Sequence, residues 1–302
     1  MPIKDAVTKE FLQSKEIFAD LFNFLLYDGN PVISPNQLHE INPELIYTTG
    51  DDPDNNSSVT KIRDLLMYLT AMEDDNFAYL LLGIENQSTV DHDMPIRNFV
   101  YDALQYDRQK KEATRLHKKN EYIPVITLVI YWSPGKWTGP KSLHEMFSIK
   151  DKEVLSFVTD YKMNLLVPGE VDDNDLDKLK TSLRNVFKYI KCSQDKILLQ
   201  KLIHEDEQYQ HLDRKATQVI NVITDSKLPI SEEEEEINMC KAIDDIREES
   251  RQKGLQEEYK KRIEQLKQIA QSLFMTKMSI SEIAKIMKVE ESQIELWVSS
   301  LV

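Results

Sequence analysis

The chain is poor in the features that build disulfide frameworks, zinc sites and membrane spans. Cys192 and Cys240 are its two cysteines, and without a paired spacing they support neither a disulfide framework nor a zinc site. The longest apolar run, residues 122–132, is interrupted by Pro124 and Thr127 and is shorter than the ~20 residues that a membrane helix needs. The N-terminus lacks the pattern of a secretory signal. A globular, cytoplasmic protein with no membrane association is therefore expected.

Basic residues are also outnumbered by acidic ones: 38 Lys and Arg stand against 52 Asp and Glu, which gives the chain a net charge of −14. This argues against nucleic-acid binding, since affinity for a phosphate backbone depends on Lys and Arg. Two stretches are nevertheless basic: residues 97–120 carry seven basic and three acidic residues, and residues 178–201 carry seven basic residues against Asp195 alone. Local basic surfaces attract DNA even when the total charge is acidic. The alternative is that both are solvated helix faces, the commoner arrangement for charge runs.

The most informative motif is an apolar strand that continues into polar residues. Residues 77–84 form a nearly continuous apolar run after a polar turn, which predicts a strand buried on both faces, and Glu85 is expected to end it. The preceding run, residues 62–70, is predicted to pair with it as a hairpin and to bring Asp64 beside Glu85. Because side chains alternate along a strand, Gln87 is expected on the same side as Glu85.

Two converging carboxylates favour a divalent metal site. Mg²⁺ (or Mn²⁺) prefers oxygen ligands, so Asp64, Glu85 and the backbone carbonyl of Asn86 are a candidate partial coordination shell. Gln87 is then expected to contact the attacking water or a phosphate. The alternative is that Asp64 and Glu85 are structural polar groups at strand ends.

Eight sequence blocks follow one another in a fixed order over most of the chain. These blocks are KDAVTK (residues 4–9), IFADLFN (17–23), YDG (27–29), AYLLLGIENQS (78–88), MPIR (94–97), YDALQY (101–106), IPVITLV (123–129) and GPKSLHEM (139–146). Through these blocks the sequence resembles the recombination-promoting nuclease and YhgA-like transposase family of the PD-(D/E)XK nuclease superfamily.

The resemblance implies an α/β, restriction-endonuclease-like core that cleaves DNA with a divalent metal, with Asp64, Glu85 and Gln87 at the motif positions. Gln87 departs from the wider superfamily, which has Lys there, although Gln is characteristic of this family. A neutral amide cannot supply positive charge to a developing phosphorane. The resemblance also suggests an association with mobile DNA or recombination.

Helices are expected on both sides of the motif. Apolar spacing predicts a first helix over residues 8–26, on which Glu16 and Asp20 share a face that either approaches the metal site or is solvated. A second helix is predicted over residues 95–116, followed by a core strand over residues 123–132. Tyr101, Gln105 and Arg108 are spaced to share one face of that helix. This face is directed toward the metal site and DNA, or else Tyr101 and Gln105 are ordinary half-buried helix residues. The candidate DNA-binding residues are Arg97, Gln105, Arg108, Lys110 and Lys111.

Three segments are expected: a nuclease-like domain over residues 1–225, an acidic linker and helix start over 226–254, and a helical tail over 255–302.

The tail begins with a coiled-coil-like apolar seam, which allows a homodimer but is too short to define the oligomer. Its end resembles a helix-turn-helix, with a capping box at Ser279 and Glu282. Because the last helix offers acidic residues and neither Lys nor Arg, packing or dimerisation is favoured over DNA readout.

The primary hypothesis is a Mg²⁺-dependent DNA endonuclease in which Asp64 and Glu85 bind the metal and Gln87 orients water. Arg97 and the basic helix after it would hold the DNA backbone without reading its sequence. The rival hypothesis retains the fold without efficient catalysis, leaving a dimeric DNA-binding or regulatory protein. The acidic total charge and Gln87 motivate it.

Overall fold

The computed structural model describes residues 2–40, 44–49, 57–62, 65–70, 78–116, 122–230 and 234–299. The chain divides into two compact units, Met1–Cys240 and Lys241–Val302. Across the described ranges, no helix combines the length and apolarity needed to span a membrane.

The first unit is built on a mixed sheet. Its strands, in chain order, are β1 (Leu38–Glu40), β2 (Glu44–Thr49), β3 (Ser57–Ile62), β4 (Leu65–Thr70), β5 (Ala78–Gln87), β6 (Val125–Tyr131), β7 (Asn164–Leu166), β8 (Leu212–Asp213) and β9 (Glu236–Ile237). The main sheet has the order β1-β4-β5-β6-β7, with antiparallel pairing from β1 to β5 and parallel pairing from β5 to β7. Strand β2 pairs with β3, and β8 pairs with β9. The predicted α/β class is confirmed as a mixed α/β architecture.

Strands β4 and β5 form the predicted antiparallel pair, with Leu65 opposite Ile84. The expectation that Glu85 ends the strand is wrong, because β5 continues to Gln87. The extension arises from parallel pairing with β6, in which Gln87 lies opposite Tyr131. The polar motif therefore occupies the end of a paired strand.

Helices surround this sheet. In chain order they are α1 (Pro2–Leu12), α2 (Lys15–Tyr27), α3 (Met94–Arg115), α4 (Leu143–Met146), α5 (Lys152–Ser156), α6 (Asp173–Leu176), α7 (Leu183–Cys192), α8 (Lys196–Glu205) and α9 (Arg214–Thr224). Helix α3 confirms the helix predicted over residues 95–116, and β6 confirms the strand that follows it. The core includes fully buried residues of α2, β6, α7 and α9, such as Phe18, Leu128, Phe187 and Ile220.

The single helix predicted over residues 8–26 is wrong in two respects, because helical structure begins at Pro2 and the segment forms two helices, α1 and α2. The break falls at Ser14, whose hydroxyl accepts a hydrogen bond from the backbone N–H of Ile17 at 3.5 Å and caps α2. Helix α2 ends at Tyr27, one residue beyond the predicted end, and the chain turns at Asp28 and Gly29, which have φ angles of 53° and 80°.

Asp20 takes neither of the two positions expected for it. It is buried, and its carboxylate accepts hydrogen bonds from the backbone N–H groups of Lys180 at 2.9 Å and Thr181 at 2.8 Å. Glu16, in contrast, is exposed and accepts a hydrogen bond from Ser14. Asp20 thus satisfies donors of a distant loop, a pairing that helical spacing does not reveal.

The second unit contains most of α10 (Met239–Met275), together with α11 (Ile280–Met287) and α12 (Glu291–Val298). The capping box predicted at Ser279 and Glu282 is confirmed. The later part of the predicted seam packs against α11 and α12, in a cluster centred on Ala270 and Trp297, whereas Leu255 and Tyr259 are exposed. Many of the regularly spaced apolar residues of this helix therefore pack against other helices of the same chain.

Candidate functional site

The strand-end motif lies at the carboxyl end of β5. Glu85 is 1% exposed. The indole N–H of Trp132 donates a hydrogen bond to Oδ1 of Asn86 at 2.8 Å, and the backbone N–H of Trp132 donates to the carbonyl of Gln87 at 2.8 Å. Because β5 stays extended, Glu85 and Gln87 share one side of the strand and Asn86 has the other. Trp132 therefore fixes the strand end from the Asn86 side.

Arg97, on the first turn of α3, pairs with two acids. Its guanidinium lies 3.5 Å from Oε2 of Glu85 and 2.7 Å from Oδ2 of Asp91, and its side chain remains 39% exposed. Burial alone would lower the pKa of Arg97, but hydrogen bonds with Tyr101 and Asp91 and the nearby Glu85 charge raise it above its ordinary value. Burial favours a higher pKa for Asp91, but the bond from Arg97 and the backbone N–H of Asp93 lower it. Arg97 is thus a fixed cation beside the motif.

A polar cleft of about 340 Å³ opens at this strand end. Its lining includes Gln87 and Ser88 from β5 and the following loop, Arg97 from α3, Trp132 after β6, and Lys4 from α1. Elements far apart in the sequence therefore meet at the motif. An amide, a hydroxyl and two cationic side chains can all donate hydrogen bonds to an anionic ligand.

Asp64 lies outside the described residues, so the structure does not test its predicted position beside Glu85. It directly precedes Leu65, which pairs with Ile84, the residue before Glu85. Within the described ranges, no group of three or more His, Cys, Asp or Glu side chains is arranged to hold a metal. The carboxylate of Glu85 has the oxygen donors that Mg²⁺ prefers, but it requires a second acidic ligand to complete such a site. The chemistry fits a magnesium site only together with Asp64.

The candidate DNA-binding residues of α3 differ in burial. Gln105 is 2% exposed and lies on the packed side, together with buried Tyr101. Arg108 and Lys110 are exposed, and Lys111 is exposed while paired with Asp107 at 2.8 Å. Tyr101, Gln105 and Arg108 share one face of the continuous helix α3, as predicted, but Tyr101 and Gln105 are buried whereas Arg108, one turn further along, is exposed. The exposed cations remain available to a phosphate backbone.

The packed side of α3 carries polar groups that the sequence did not single out. Asp102 accepts hydrogen bonds from the hydroxyls of Thr127 on β6 and Tyr161, both at 2.6 Å. Asn98 is fully buried, and neither atom of its side-chain amide has a hydrogen-bond partner in the part of the chain that the structure describes. An Asp at a helical core position was a signal for this network, since buried carboxylates require donors.

The second basic stretch is largely neutralised by acids from neighbouring segments. Burial favours a higher pKa for Asp177, but bonds from Lys188 and Arg184 lower it. The ion pairs of this stretch join Lys178 to Asp28 and Asp175, Arg184 to Asp177 and Asp206, Lys188 to Asp177, and Lys191 to Asp173. A charge count over residues 178–201 omitted these acids, because four of them lie just outside that range and Asp28 lies 150 positions before Lys178. This stretch is therefore a folded ion-pair network and contributes little free positive surface.

Comparison with protein families gives a match over residues 3–217 to the family described as "Putative transposase, YhgA-like". The matched region contains the central sheet, the strand-end motif and α3. Comparisons with curated proteins and with solved structures found no match.

Proposed function

Because the chain belongs to the YhgA-like transposase family, we propose that it is a metal-dependent DNA endonuclease with a restriction-endonuclease-like core, associated with mobile DNA or recombination. The observation that carries the proposal is the buried Glu85 carboxylate at the end of β5, next to a polar cleft lined by Gln87 and Arg97. Buried carboxylates are uncommon unless they are paired or bind metals. A cleft with donors for an anion beside such a group suits a phosphodiester substrate.

The metal ligands in this proposal are Asp64, Glu85 and the backbone carbonyl of Asn86, all of them oxygen donors. The ligand proposed at Asn86 is its main-chain carbonyl, since its side-chain carbonyl already accepts a hydrogen bond from Trp132. When bound, Mg²⁺ or Mn²⁺ would activate water and polarise the phosphoryl group. Trp132 holds the end of β5 at two points and thereby orients the proposed ligands of that strand, Glu85 and Asn86.

Gln87 shares the side of β5 with Glu85 and lines the cleft, so its amide can hold the attacking water by one hydrogen bond. Hydrolysis joins the water oxygen to phosphorus and breaks one phosphorus–oxygen ester bond. One water proton leaves to solvent and the departing oxygen gains a proton. Gln87 acts by position, since it carries no charge.

The DNA backbone is held by cations of α3. Arg97 is partly exposed at the cleft, and Arg108, Lys110 and Lys111 follow along the helix as exposed residues. Contacts of this kind give affinity without sequence information. Gln105 is excluded from them, because its side chain is buried.

The test is cleavage of supercoiled plasmid with Mg²⁺, with Mn²⁺ and with EDTA. Wild-type protein should nick the plasmid only with metal, and Asp64→Asn and Glu85→Gln should each lower the rate by at least about a hundredfold, as for loss of a group that stabilises transition-state charge. Glu112→Gln is the matched control, since it removes an exposed carboxylate of α3. Equal cleavage by all four proteins would exclude this site.

A catalytically weak DNA-binding or regulatory protein is the second candidate. Gln87 in place of a lysine, the net charge of −14 and the Arg97–Glu85 pair favour it. Calorimetric titration with Mg²⁺ separates the two candidates. An endonuclease should bind metal in a manner that Glu85→Gln abolishes, whereas a protein with an inactive site should bind DNA without any Glu85-dependent metal binding.

A further inference from the structure

The N-terminal helix brings a lysine to the strand-end cleft. Lys4, Asp5 and Thr8 of α1 line the same cleft as Gln87 and Arg97. Lys4 and Thr8 are one turn apart, and the Thr8 hydroxyl bonds to the Lys4 carbonyl at 2.9 Å. About 80 residues of sequence separate Lys4 from Gln87, so no local motif joins them.

Helix α1 is held in this position by other parts of the first unit. It packs along α9 and contacts β5, and Ile223 of α9 also lines the cleft. An ion pair between Glu10 of α1 and Lys215 of α9 at 3.2 Å links the two helices. The position of Lys4 therefore follows from helix packing.

The charges at the cleft differ in how far they are already neutralised. Arg97 is paired with Glu85 and Asp91. Lys4 makes no ion pair within the described part of the chain, and its side chain is half-buried. Among the described residues that line the cleft, Asp5 is the one acid, so Lys4, Arg97 and Asp5 together give this part of the lining a net charge of +1. Lys4 is thus the cation most able to accept a new anionic partner.

We propose that Lys4 binds a backbone phosphate of DNA in this cleft and supplies, from α1, the positive charge that Gln87 does not. This rests on the proposed function. A lysine ammonium group donates up to three hydrogen bonds, and on a partly buried side chain it interacts with a phosphate more strongly than on a fully solvated one. The adjacent Gln87 amide would contact the same phosphate or the water that attacks it.

The test compares full-length Lys4→Gln with Lys9→Gln, which removes a cation from the same helix but outside the cleft. Binding of a short fluorescent DNA duplex is measured by anisotropy in EDTA over a range of salt concentrations. Losing one phosphate contact should reduce the slope of log affinity against log salt by about 0.9 and weaken binding by roughly threefold to tenfold. Lys9→Gln should match wild type, and Lys4→Arg should recover most of the slope.

Plasmid cleavage separates this inference from the proposed function. If the wild-type protein does not cleave DNA but Lys4→Gln still lowers the slope of log affinity against log salt, the phosphate-binding role of Lys4 is supported and the endonuclease proposal is contradicted. If wild type cleaves and Lys4→Gln changes neither slope nor rate, the inference is overturned and the nuclease proposal stands. Absence of duplex binding by wild type at low salt also overturns it. Circular dichroism of each variant establishes that its fold is retained.

Discussion

The Arg97 guanidinium lies 3.5 Å from the Glu85 carboxylate, so the buried acid of the strand-end motif already faces a cation. Arg97 also bonds to Asp91, which fixes it on the first turn of α3. A metal bound by Glu85 would therefore share that carboxylate with a positive side chain. The same side chain is exposed enough to contact a phosphate.

Replacing Arg97 with Gln should strengthen Mg²⁺ binding and weaken DNA binding. Removing a cation beside Glu85 removes charge repulsion of the metal, and we expect about tenfold tighter binding, about 1.4 kcal/mol. Calorimetry with Mg²⁺ and anisotropy with duplex DNA measure the two effects. Lys111→Gln, which removes an exposed cation of the same helix, should leave metal affinity unchanged. Equal Mg²⁺ affinity in wild type and Arg97→Gln would contradict this view of the pair.

The sequence predicted those parts of the fold that depend on short-range patterns. The apolar run before Glu85, the helix start near Pro95 and the capping box at Ser279 each depend on neighbouring residues, and each is found. The break at Ser14 was missed because apolar spacing continues across it. The capping residue Ser14 is itself a local signal for a helix start, but the prediction gave more weight to the apolar spacing.

Polar contacts between residues that are distant in the sequence could not be predicted from short-range patterns. Asp20 bonds to Thr181 across 161 positions, and Lys4 reaches the Gln87 cleft only through packing of α1. Charge counts over a window likewise hid the acids that pair with Lys188 and its neighbours. Such contacts depend on tertiary packing, which places residues together without leaving a period or spacing in the sequence.

The Asp102 network should contribute strongly to stability. Asp102→Ala removes two hydrogen bonds to a buried carboxylate and leaves the hydroxyls of Thr127 and Tyr161 without this acceptor, so we expect the free energy of unfolding to fall by about 2–4 kcal/mol. Urea denaturation followed by circular dichroism measures the change. Asp107→Ala, a partly exposed neighbour on α3, should cost less than about 1 kcal/mol. Similar losses in the two variants would show that the network adds nothing beyond the charge.

Acid should destabilise the first unit partly through Asp177. Burial favours a higher pKa for this group, but Lys188 and Arg184 lower its pKa in the folded state below the ordinary 3.8. The unfolded chain therefore binds more protons, so the stabilisation is complete above the unfolded pKa and is lost as pH falls through the lower, folded pKa. Asp177→Asn should show a lower urea midpoint at neutral pH and a shallower further decline below about pH 4. A parallel pH profile for the two proteins would rule out this contribution.

The bond between Trp132 and Asn86 should couple these residues energetically, because Trp132 Nε1 donates to Asn86 Oδ1 at 2.8 Å. A double-mutant cycle of Trp132→Phe and Asn86→Ala isolates the pair, and we expect a coupling energy of about 0.5–1.5 kcal/mol in unfolding. A second cycle with Trp137→Phe is the control, since Trp137 instead bonds to the carbonyl of Pro140. Coupling near zero in both cycles would mean that Trp132 positions the strand end only through its backbone bond to Gln87. If the first cycle alone is coupled, Trp132→Phe should also weaken Mg²⁺ binding, because the ligands at the end of β5 would be held less firmly.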